Sequence, residues 1–285
     1  MRSVLLAAAV TLAATAVVWK GSGMLENASE QLSGYYGLPP VIQGSVVAAI
    51  GTSFPELSIA VLSVVRHGAF ELGVGTVVGS AVFNVLVIPG TAVLLSEGEL
   101  DANRDVVYKE ALFYMLSVAA LLIVFSLGVI YYPHDSGRLA AEIPRWVALL
   151  PMALYGLYAF AQYADTVDYV ADPAAHQDVN LVKQWGVLAV SLVLIVVAVE
   201  GFVYGADVFA TVFGISEALW GLTVIAAATS LPDTLVSVRA ARDGRGVTSL
   251  GNVFGSNVFD LLIAVPAGIV LAGSAVIDYA VAAPM

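Results

Sequence analysis

Hydrophobic and polar positions alternate in long blocks along the chain. Apolar stretches of about 20 residues, the length that crosses the hydrocarbon core of a bilayer, recur from one end to the other between polar connectors. Their positions predict eight membrane-spanning helices, at 3–31, 40–66, 70–96, 105–131, 143–164, 184–212, 217–240 and 247–272. We therefore expect an all-α polytopic membrane protein without a separate soluble domain.

Composition supports this class and excludes others. The chain is 60% hydrophobic and 12% charged, whereas soluble domains have roughly 45–50% and about 25%. Only 11 Lys and Arg residues stand against 22 Asp and Glu residues, and the resulting net charge of −11 argues against nucleic acid as a partner. The absence of Cys excludes disulfides, thiolate metal sites and thiol redox chemistry.

The first apolar run follows Arg2 and could be taken for a cleaved leader peptide. The second half of the chain has a counterpart helix at the matching place, 184–212, which is not terminal. We therefore expect the first run to be a membrane helix.

An internal repeat organises the chain. GLPPVIQGSVVAAIGTSFPEL at 37–57 aligns without gaps on GISEALWGLTVIAAATSLPDT at 214–234, and VGTVVGSAVFNVLVIPG at 74–90 aligns on LGNVFGSNVFDLLIAVP at 250–266. Two blocks in the same order at nearly constant offset indicate a duplication. The predicted parts are a first repeat at 1–164 with its motif at 37–90, an acidic linker loop at 165–183, and a second repeat at 184–285 with its motif at 214–266.

The count of helices predicts how the two copies are oriented. Five spans precede the linker, so the second copy enters the membrane from the opposite face and the repeats are inverted, with ions bound near the midplane between them. Five spans are also expected in the second copy, but only 274–285 remains after its third, so its last two helices are expected to be missing.

Loop charges predict the orientation of the chain in the membrane. The positive-inside rule places the side richer in Lys and Arg in the cytoplasm, and the N-terminus then lies outside. The richer side has Lys20, Arg104, Lys109, Lys183, Arg239, Arg242 and Arg245, against Arg2, Arg66, Arg138 and Arg145 on the other.

Three carboxylates lie where the bilayer disfavours them. Glu56 falls in the second span, Asp233 in the seventh and Asp260 in the eighth. Such a group costs a few kcal/mol on insertion scales and usually faces a cavity that holds a cation or a proton. Oxygen-bearing partners share their helical faces at i,i+4 spacing. These pairs are Thr52 with Glu56, Thr229 with Asp233, Ser80 with Asn84 and Ser256 with Asp260, and Ser53 and Ser230 join the same faces.

The donor set narrows the ion. All these side chains offer oxygen, without nitrogen bases or sulfur, which suits Ca²⁺ and Na⁺ and argues against zinc or copper. Pro55 and Pro232, inside predicted spans, each remove a backbone hydrogen bond and free a carbonyl beside the acids. Irregular backbone at membrane depth is tolerated where it is buried in protein or lines a water-filled cavity.

These motifs resemble a known family. GTSFPEL with GSAVFN, and ATSLPDT with GSNVFD, are similar to the two alpha repeats of the calcium/cation antiporter superfamily, in its sodium/calcium exchangers and closest to the potassium-dependent branch. The resemblance implies ten helices in two inverted halves, a lipid bilayer of the plasma membrane as the setting, a monomer, and Ca²⁺, Na⁺ and a candidate K⁺ as transported ions without a cofactor.

The resemblance also implies the ligands. Glu56 and Asp233 would be the central carboxylates, shared by calcium and sodium, and the backbone carbonyls of Ala49 and Ala226 would bind sodium. Asp233 stands where the best-known prokaryotic pattern has Glu, and Asp at both 233 and 260 is similar to the potassium-dependent exchangers. The remaining implied ligands are Thr52, Ser53, Ser80, Asn84, Thr229, Ser230, Ser256 and Asp260.

Three other functions compete with sodium/calcium exchange. A proton/calcium exchanger is disfavoured because that branch usually has Gly-Asn before its Glu, where this chain has Thr-Ser-Phe-Pro. An intramembrane aspartyl protease lacks its Gly-x-Gly-Asp signature here, and a repeat-related pair among Ser and Thr suits ions better than a water-activating dyad. A passive cation channel would be excluded by stoichiometric counterflow.

Overall fold

The computed structural model describes residues 2–39, 42–96, 104–136, 139–164 and 179–278. Most of the predicted linker, Arg138 and the end of the 274–285 segment lie outside these ranges. The first half has α1 Arg2–Tyr35, a π-helix Gln43–Ala48, α2 Ala49–Thr52, α3 Phe54–His67, α4 Phe70–Leu86, α5 Ile88–Leu95, α6 Arg104–Tyr131, β1 Ala140–Pro144 and α7 Arg145–Ala164. The second has α8 Leu181–Phe213, α9 Glu217–Trp220, a π-helix Gly221–Ile225, α10 Ala226–Thr229, α11 Leu231–Arg242, α12 Gly246–Phe259, a π-helix Asp260–Ala264, α13 Val265–Ala272 and β2 Ser274–Asp278.

The predicted membrane spans are confirmed. Within the described ranges, seven helices are long and apolar enough to cross a membrane. Two further segments, Val46–Thr52 and Phe54–His67, meet at an angle of 49° and make an eighth span if the bent pair crosses the membrane as one. The eight spans coincide with those read from the hydrophobic pattern, with ends shifted by a few residues.

Both copies of the repeat contain a broken helix with the same local structure. A π-helix leads into a four-residue α-helix, the chain breaks at Ser53 or Ser230, and a new helix starts with Pro in its first turn. Proline has no N–H and clashes with the preceding turn, so the break follows from Pro55 and Pro232. The serines take nearly the same backbone angles, φ −85° and ψ 4° at Ser53 and φ −78° and ψ −2° at Ser230.

The third span of each copy is less regular than the continuous helix predicted for it. In the first copy the helix breaks at Val87, and α5 starts with Pro89 in its first turn. In the second copy a π-helix starts at Asp260 and runs into α13, where Pro266 has the same place. Both irregularities follow directly after the predicted ligand positions of these spans.

Close backbone contacts join the two copies. A Cβ atom on Gly79 of α4 would lie 2.2 Å from the carbonyl oxygen of Leu222, and one on Gly75 would lie 2.4 Å from that of Ala218. Glycine is therefore required at both positions, since a side chain cannot fit between the helices. This contact brings α4 against the broken helix of the second copy.

The long helices α1 and α8 are counterparts in the repeat and run antiparallel. Gly21 faces Ile195, Gly205 faces Thr11, and Gln184 donates a hydrogen bond of 2.6 Å to Gln31. The residue numbers therefore rise along α1 in the direction in which they fall along α8. An inverted repeat requires this antiparallel course.

A short sheet adds to the helices that the sequence predicted. β1 and β2 pair antiparallel, with Ala140 opposite Asp278 and Pro144 opposite Ser274. The backbone N–H of Arg145 also donates to the carbonyl of Gly273 at 3.1 Å. The sheet ties the start of α7 to the end of α13, and its strands are too far apart in the chain for a local pattern to pair them.

We expect Gly79→Ala to lower stability by about 1–3 kcal/mol, because the added methyl group would force α4 away from Leu222. The melting temperature of the purified protein in detergent measures this loss. Gly156→Ala is the matched control, since a Cβ there meets nothing within 4 Å. Equal melting temperatures for the two variants would contradict close packing at Gly79.

Candidate ion-binding site

The structure brings the predicted ligands together in the interior. They come from the breaks of the two broken helices, from α4 and from the end of α12. Every one of the ten side chains has 0% exposed surface: Thr52, Ser53, Glu56, Ser80, Asn84, Thr229, Ser230, Asp233, Ser256 and Asp260.

Ser80 connects Glu56 to the second copy. Its hydroxyl donates to Oε1 of Glu56 at 3.1 Å and lies 2.9 Å from the hydroxyl of Ser230. The other carboxylate oxygen of Glu56, Oε2, has no hydrogen-bond partner. One side of this carboxylate is therefore held, and the other is open to a ligand.

Asp233 is held on both oxygens. Ser256 donates to Oδ1 at 2.8 Å, Asn252 lies 3.4 Å from the same oxygen, and Asn84 lies 3.4 Å from Oδ2. The donors come from α4 and α12, one helix from each copy.

Asp260 has no hydrogen-bond partner on either carboxylate oxygen. Ser53 is adjacent to it, and Glu56 and Asp233 lie within electrostatic range. Three carboxyl groups thus share one dry region, where like charges repel strongly.

The buried atoms of the site that lack a hydrogen-bond partner are all oxygens, from carboxylate, amide or hydroxyl groups. In the described chain, five buried oxygens at these positions lack a partner: Ser53 Oγ, Glu56 Oε2, Asn84 Oδ1 and both carboxylate oxygens of Asp260. Buried polar atoms are normally hydrogen-bonded, because leaving one unpaired costs about 1–3 kcal/mol. A cation would satisfy these oxygens together.

The arrangement also limits how a cation would be bound. Among the described residues, no three His, Cys, Asp or Glu side chains approach closely enough to hold one metal ion. A cation at this site would therefore take hydroxyl and amide oxygens beside carboxylates, as the hard ions Ca²⁺ and Na⁺ do.

The backbone near the breaks is the same in both copies. The carbonyl of Ala49 accepts from the N–H of Ser53 at 2.9 Å and from the hydroxyl of Thr52 at 3.3 Å. The carbonyl of Ala226 accepts from Ser230 and Thr229 at the same two distances. Each threonine hydroxyl thus lies at hydrogen-bond distance from a carbonyl of its own helix, and the hydroxyl of Thr52 also contacts Asn252 and Ser256 of the second copy.

Sequence reasoning missed two asparagines of the site. Asn252 contacts Asp233 and Thr52, and Asn257 accepts from Asn84 at 3.0 Å and donates to the carbonyl of Ala81 at 3.3 Å. Asn252 precedes Ser256 by four residues, so the same i,i+4 rule could have found it. Asn257 precedes Asp260 by three residues, the spacing of Ser53 before Glu56, so it could have been found in the same way.

A cavity of about 560 Å³ lies beside the broken helices, at Val47, Ala48 and Val236. The second half of α1 and the end of α11 line it, with Glu26, Glu30, Arg239 and Arg245 among the lining residues. Its wall also includes Ala48, whose carbonyl accepts from Thr52 at 3.0 Å. We call this cavity the vestibule.

A family model described as "Sodium/calcium exchanger protein" matches residues 6–164 and 183–283. The chain belongs to the sodium/calcium exchanger family. It is an integral membrane transporter rather than an enzyme, and the resemblance seen in the motifs is confirmed.

Relatives of this exchanger-family chain come from bacteria, archaea and animals. The inner membrane protein YrbG of Escherichia coli is 31% identical over 263 residues, covering 91% of this chain and 78% of YrbG. The sodium/calcium exchanger MaX1 of Methanosarcina acetivorans is 28% identical over 273 residues, covering 86% and 77%. Sodium/potassium/calcium exchanger 1 of the mouse is 32% identical over 120 residues, covering 42% and 9%.

A solved structure of the sodium-calcium exchanger NCX_Mj, soaked with 10 mM Na⁺ and zero Ca²⁺, has the same fold. The TM-score is 0.65 at 23% identity, and the match covers 98% of this exchanger-family chain and 87% of NCX_Mj. The membrane-transporter architecture predicted from the sequence is confirmed by this likeness.

We expect Asp260→Asn to raise the melting temperature in sodium-free buffer with a calcium chelator. The substitution removes one charge from the carboxylate cluster and supplies an N–H₂ donor, a gain of about 1–3 kcal/mol. Asp207→Asn, on an exposed position of α8, is the control and should leave the melting temperature unchanged. A lower melting temperature for the Asp260 variant would refute the claim that unpaired carboxylate oxygens at this position destabilise the ion-free protein.

Proposed function

We propose that this chain is a secondary active antiporter that exchanges sodium for calcium, with the ten predicted side chains as the ion ligands. The observation that carries the proposal is the cluster of five partnerless oxygens between the two broken helices. Sodium and calcium would compete for the same oxygens. The family membership and the name of the relative MaX1 support this choice of ions.

Potassium co-transport is a finer part of the proposal. Asp at 233 has one methylene less than Glu and leaves more room between the carboxylates. The mouse relative named a sodium/potassium/calcium exchanger supports it. Uptake measured with and without potassium separates the two cases.

Alternating access is supported by the different packing of two equivalent helix pairs. On one side, α8 packs against α3, with Ile59 and Leu62 against Val199 and Phe202. On the other side, the counterpart pair, the second half of α1 and the end of α11, lines the vestibule. One of the two equivalent interfaces thus contains a cavity and the other is filled with apolar side chains, as alternating access would require.

Ion pairs accompany both routes. Arg66 and His67, at the end of α3, pair with Glu200 of α8 on the packed side. Glu26 and Arg239 face each other at 3.9 Å across the vestibule. Each pair joins a long helix of one copy to the broken helix of the other.

The two ion pairs lie at different levels along the long helices. The antiparallel contacts of α1 and α8 place Glu200 near Ala14 of α1, because Gly201 packs against that residue. Glu26 is twelve residues further along α1, which is roughly 18 Å at 1.5 Å per residue. We propose that α1 and α8 slide together across the broken helices and open the two routes in turn.

The remaining proposals concern the setting. We propose a plasma-membrane protein that functions as a monomer, with its N-terminus outside. In that orientation the vestibule faces the cytoplasm, since it adjoins Arg239, Arg242 and Arg245, which the positive-inside rule places there.

We expect Glu56→Gln and Asp233→Asn each to abolish calcium uptake into sodium-loaded vesicles, because each removes a charge that the ion requires. Asp135→Asn, on an exposed loop, should retain uptake near the original rate. Sodium, potassium and pH gradients are imposed separately in the same vesicles. Retained uptake in the two site variants would refute the assignment of Glu56 and Asp233 as ion ligands. Uptake driven by a pH gradient alone would indicate a proton/calcium exchanger.

We expect Glu200→Gln to open the packed route more often. Exposed ion pairs contribute about 0.2–1 kcal/mol, so the effect should be small, about two- to fivefold. The measure is labelling of an Ile59→Cys variant by a polar thiol reagent, against a background without native Cys. Glu142→Gln, outside the two helices, is the control, and equal labelling rates would contradict a role for the Glu200 pair in closure.

A further inference from the structure

The repeat makes Glu56 and Asp233 equivalent, yet the two carboxylates are held differently. Asp233 accepts from Ser256, Asn252 and Asn84, whereas Glu56 accepts from Ser80 and lies near the hydroxyl of Thr229, and its Oε2 has no partner at hydrogen-bond distance. A carboxylate offers about four lone-pair positions. Glu56 therefore keeps more of its positions free than Asp233 does.

Asn252 is the residue that holds Asp233 most extensively. Its amide nitrogen lies 3.4 Å from Oδ1 of Asp233, 3.4 Å from the backbone carbonyl oxygen of the same residue, and 3.1 Å from the hydroxyl of Ser237. Its amide oxygen accepts from the hydroxyl of Thr52 at 3.3 Å. The fully buried side chain of Asn252 thus contacts the carboxylate of Asp233, the backbone of Asp233 and Thr52 of the first copy.

The first copy lacks this arrangement. The position equivalent to Asn252 is Thr76. Its hydroxyl donates to the carbonyl of Leu72 at 2.9 Å, within its own helix. A side-chain amide for the central carboxylate is therefore supplied at this position in the second copy alone.

We propose that Asn252 is a positioning residue that fixes the carboxylate of Asp233 for the transported cation, an inference that rests on the proposed function. Because Asn252 contacts both the carboxylate and the backbone carbonyl of Asp233, it restricts the side-chain torsions of Asp233. Asp233 then presents its remaining lone pairs in one direction, while Glu56, held on one oxygen, adjusts to the ion. Carboxylate ligands with such hydrogen-bonded support commonly lose about 10–100-fold in metal affinity when the support is removed.

The test compares Asn252→Ala with Thr76→Ala, its counterpart in the repeat. Two measurements are made on the full chain: the calcium concentration for half-maximal sodium-driven uptake, and the rise in melting temperature on adding calcium to purified protein. We expect Asn252→Ala to raise the half-saturating concentration at least about tenfold and to shift the thermal response equally. Thr76→Ala should remain within about twofold of the original protein, because its hydroxyl touches neither carboxylate.

A second variant controls for misfolding of Asn252→Ala. Asn252→Thr places in the second copy the residue that the first copy has, and its hydroxyl can bond within its own helix as Thr76 does. The proposal expects the same loss of calcium affinity from it. The proposal is overturned if either Asn252 variant has the original half-saturation, or if it changes the maximal rate alone.

Failure of this inference differs from failure of the proposed function. An original protein that shows neither sodium-driven uptake nor calcium-dependent stabilisation would overturn the proposed exchange itself. An original protein that shows both, with Asn252→Ala and Thr76→Ala behaving alike, would overturn the role of Asn252 alone.

Discussion

The structure depends on oxygen atoms that the protein buries and leaves without partners. Glu56, Asp260, Ser53 and Asn84 direct such oxygens into a region with 0% exposure. In a low-dielectric interior, an unpaired charge is far more costly than in water. In the proposed function, a bound cation would replace the missing donors and relieve this cost.

The rest of the fold serves to hold those oxygens at membrane depth. A helix cannot lead its own carbonyls and side chains toward an ion unless its hydrogen-bond ladder is interrupted, and Pro55 and Pro232 provide the interruption. Gly75 and Gly79 then allow α4 to lie directly against the second broken helix. Helix breaks without close packing would leave the oxygens of the two copies far apart. Close packing of unbroken helices would leave the carbonyl groups bonded within their own helices.

Exact symmetry between the copies would give two identical carboxylate environments and two identical routes to them. The structure departs from symmetry in both respects. Asn252 occupies a position where the first copy has Thr76, and one helix interface contains a cavity while its counterpart is filled by Ile59, Leu62 and Phe202. In the proposed function, these departures would give a duplicated chain two kinds of carboxylate and a distinction between the two sides of the membrane.

The sequence by itself determined the class of protein, the hydrophobic spans, the repeat and ten polar positions that the structure buries, because each is recorded in local hydrophobicity, spacing or self-similarity. It did not determine which oxygens are held and which are free, the pairing of β1 with β2, or the contact of Asn257 with Asn84. These depend on contacts between different helices and strands, from about twenty to more than a hundred residues apart in the chain. Their distances are set by how the two copies pack, which only the tertiary structure decided.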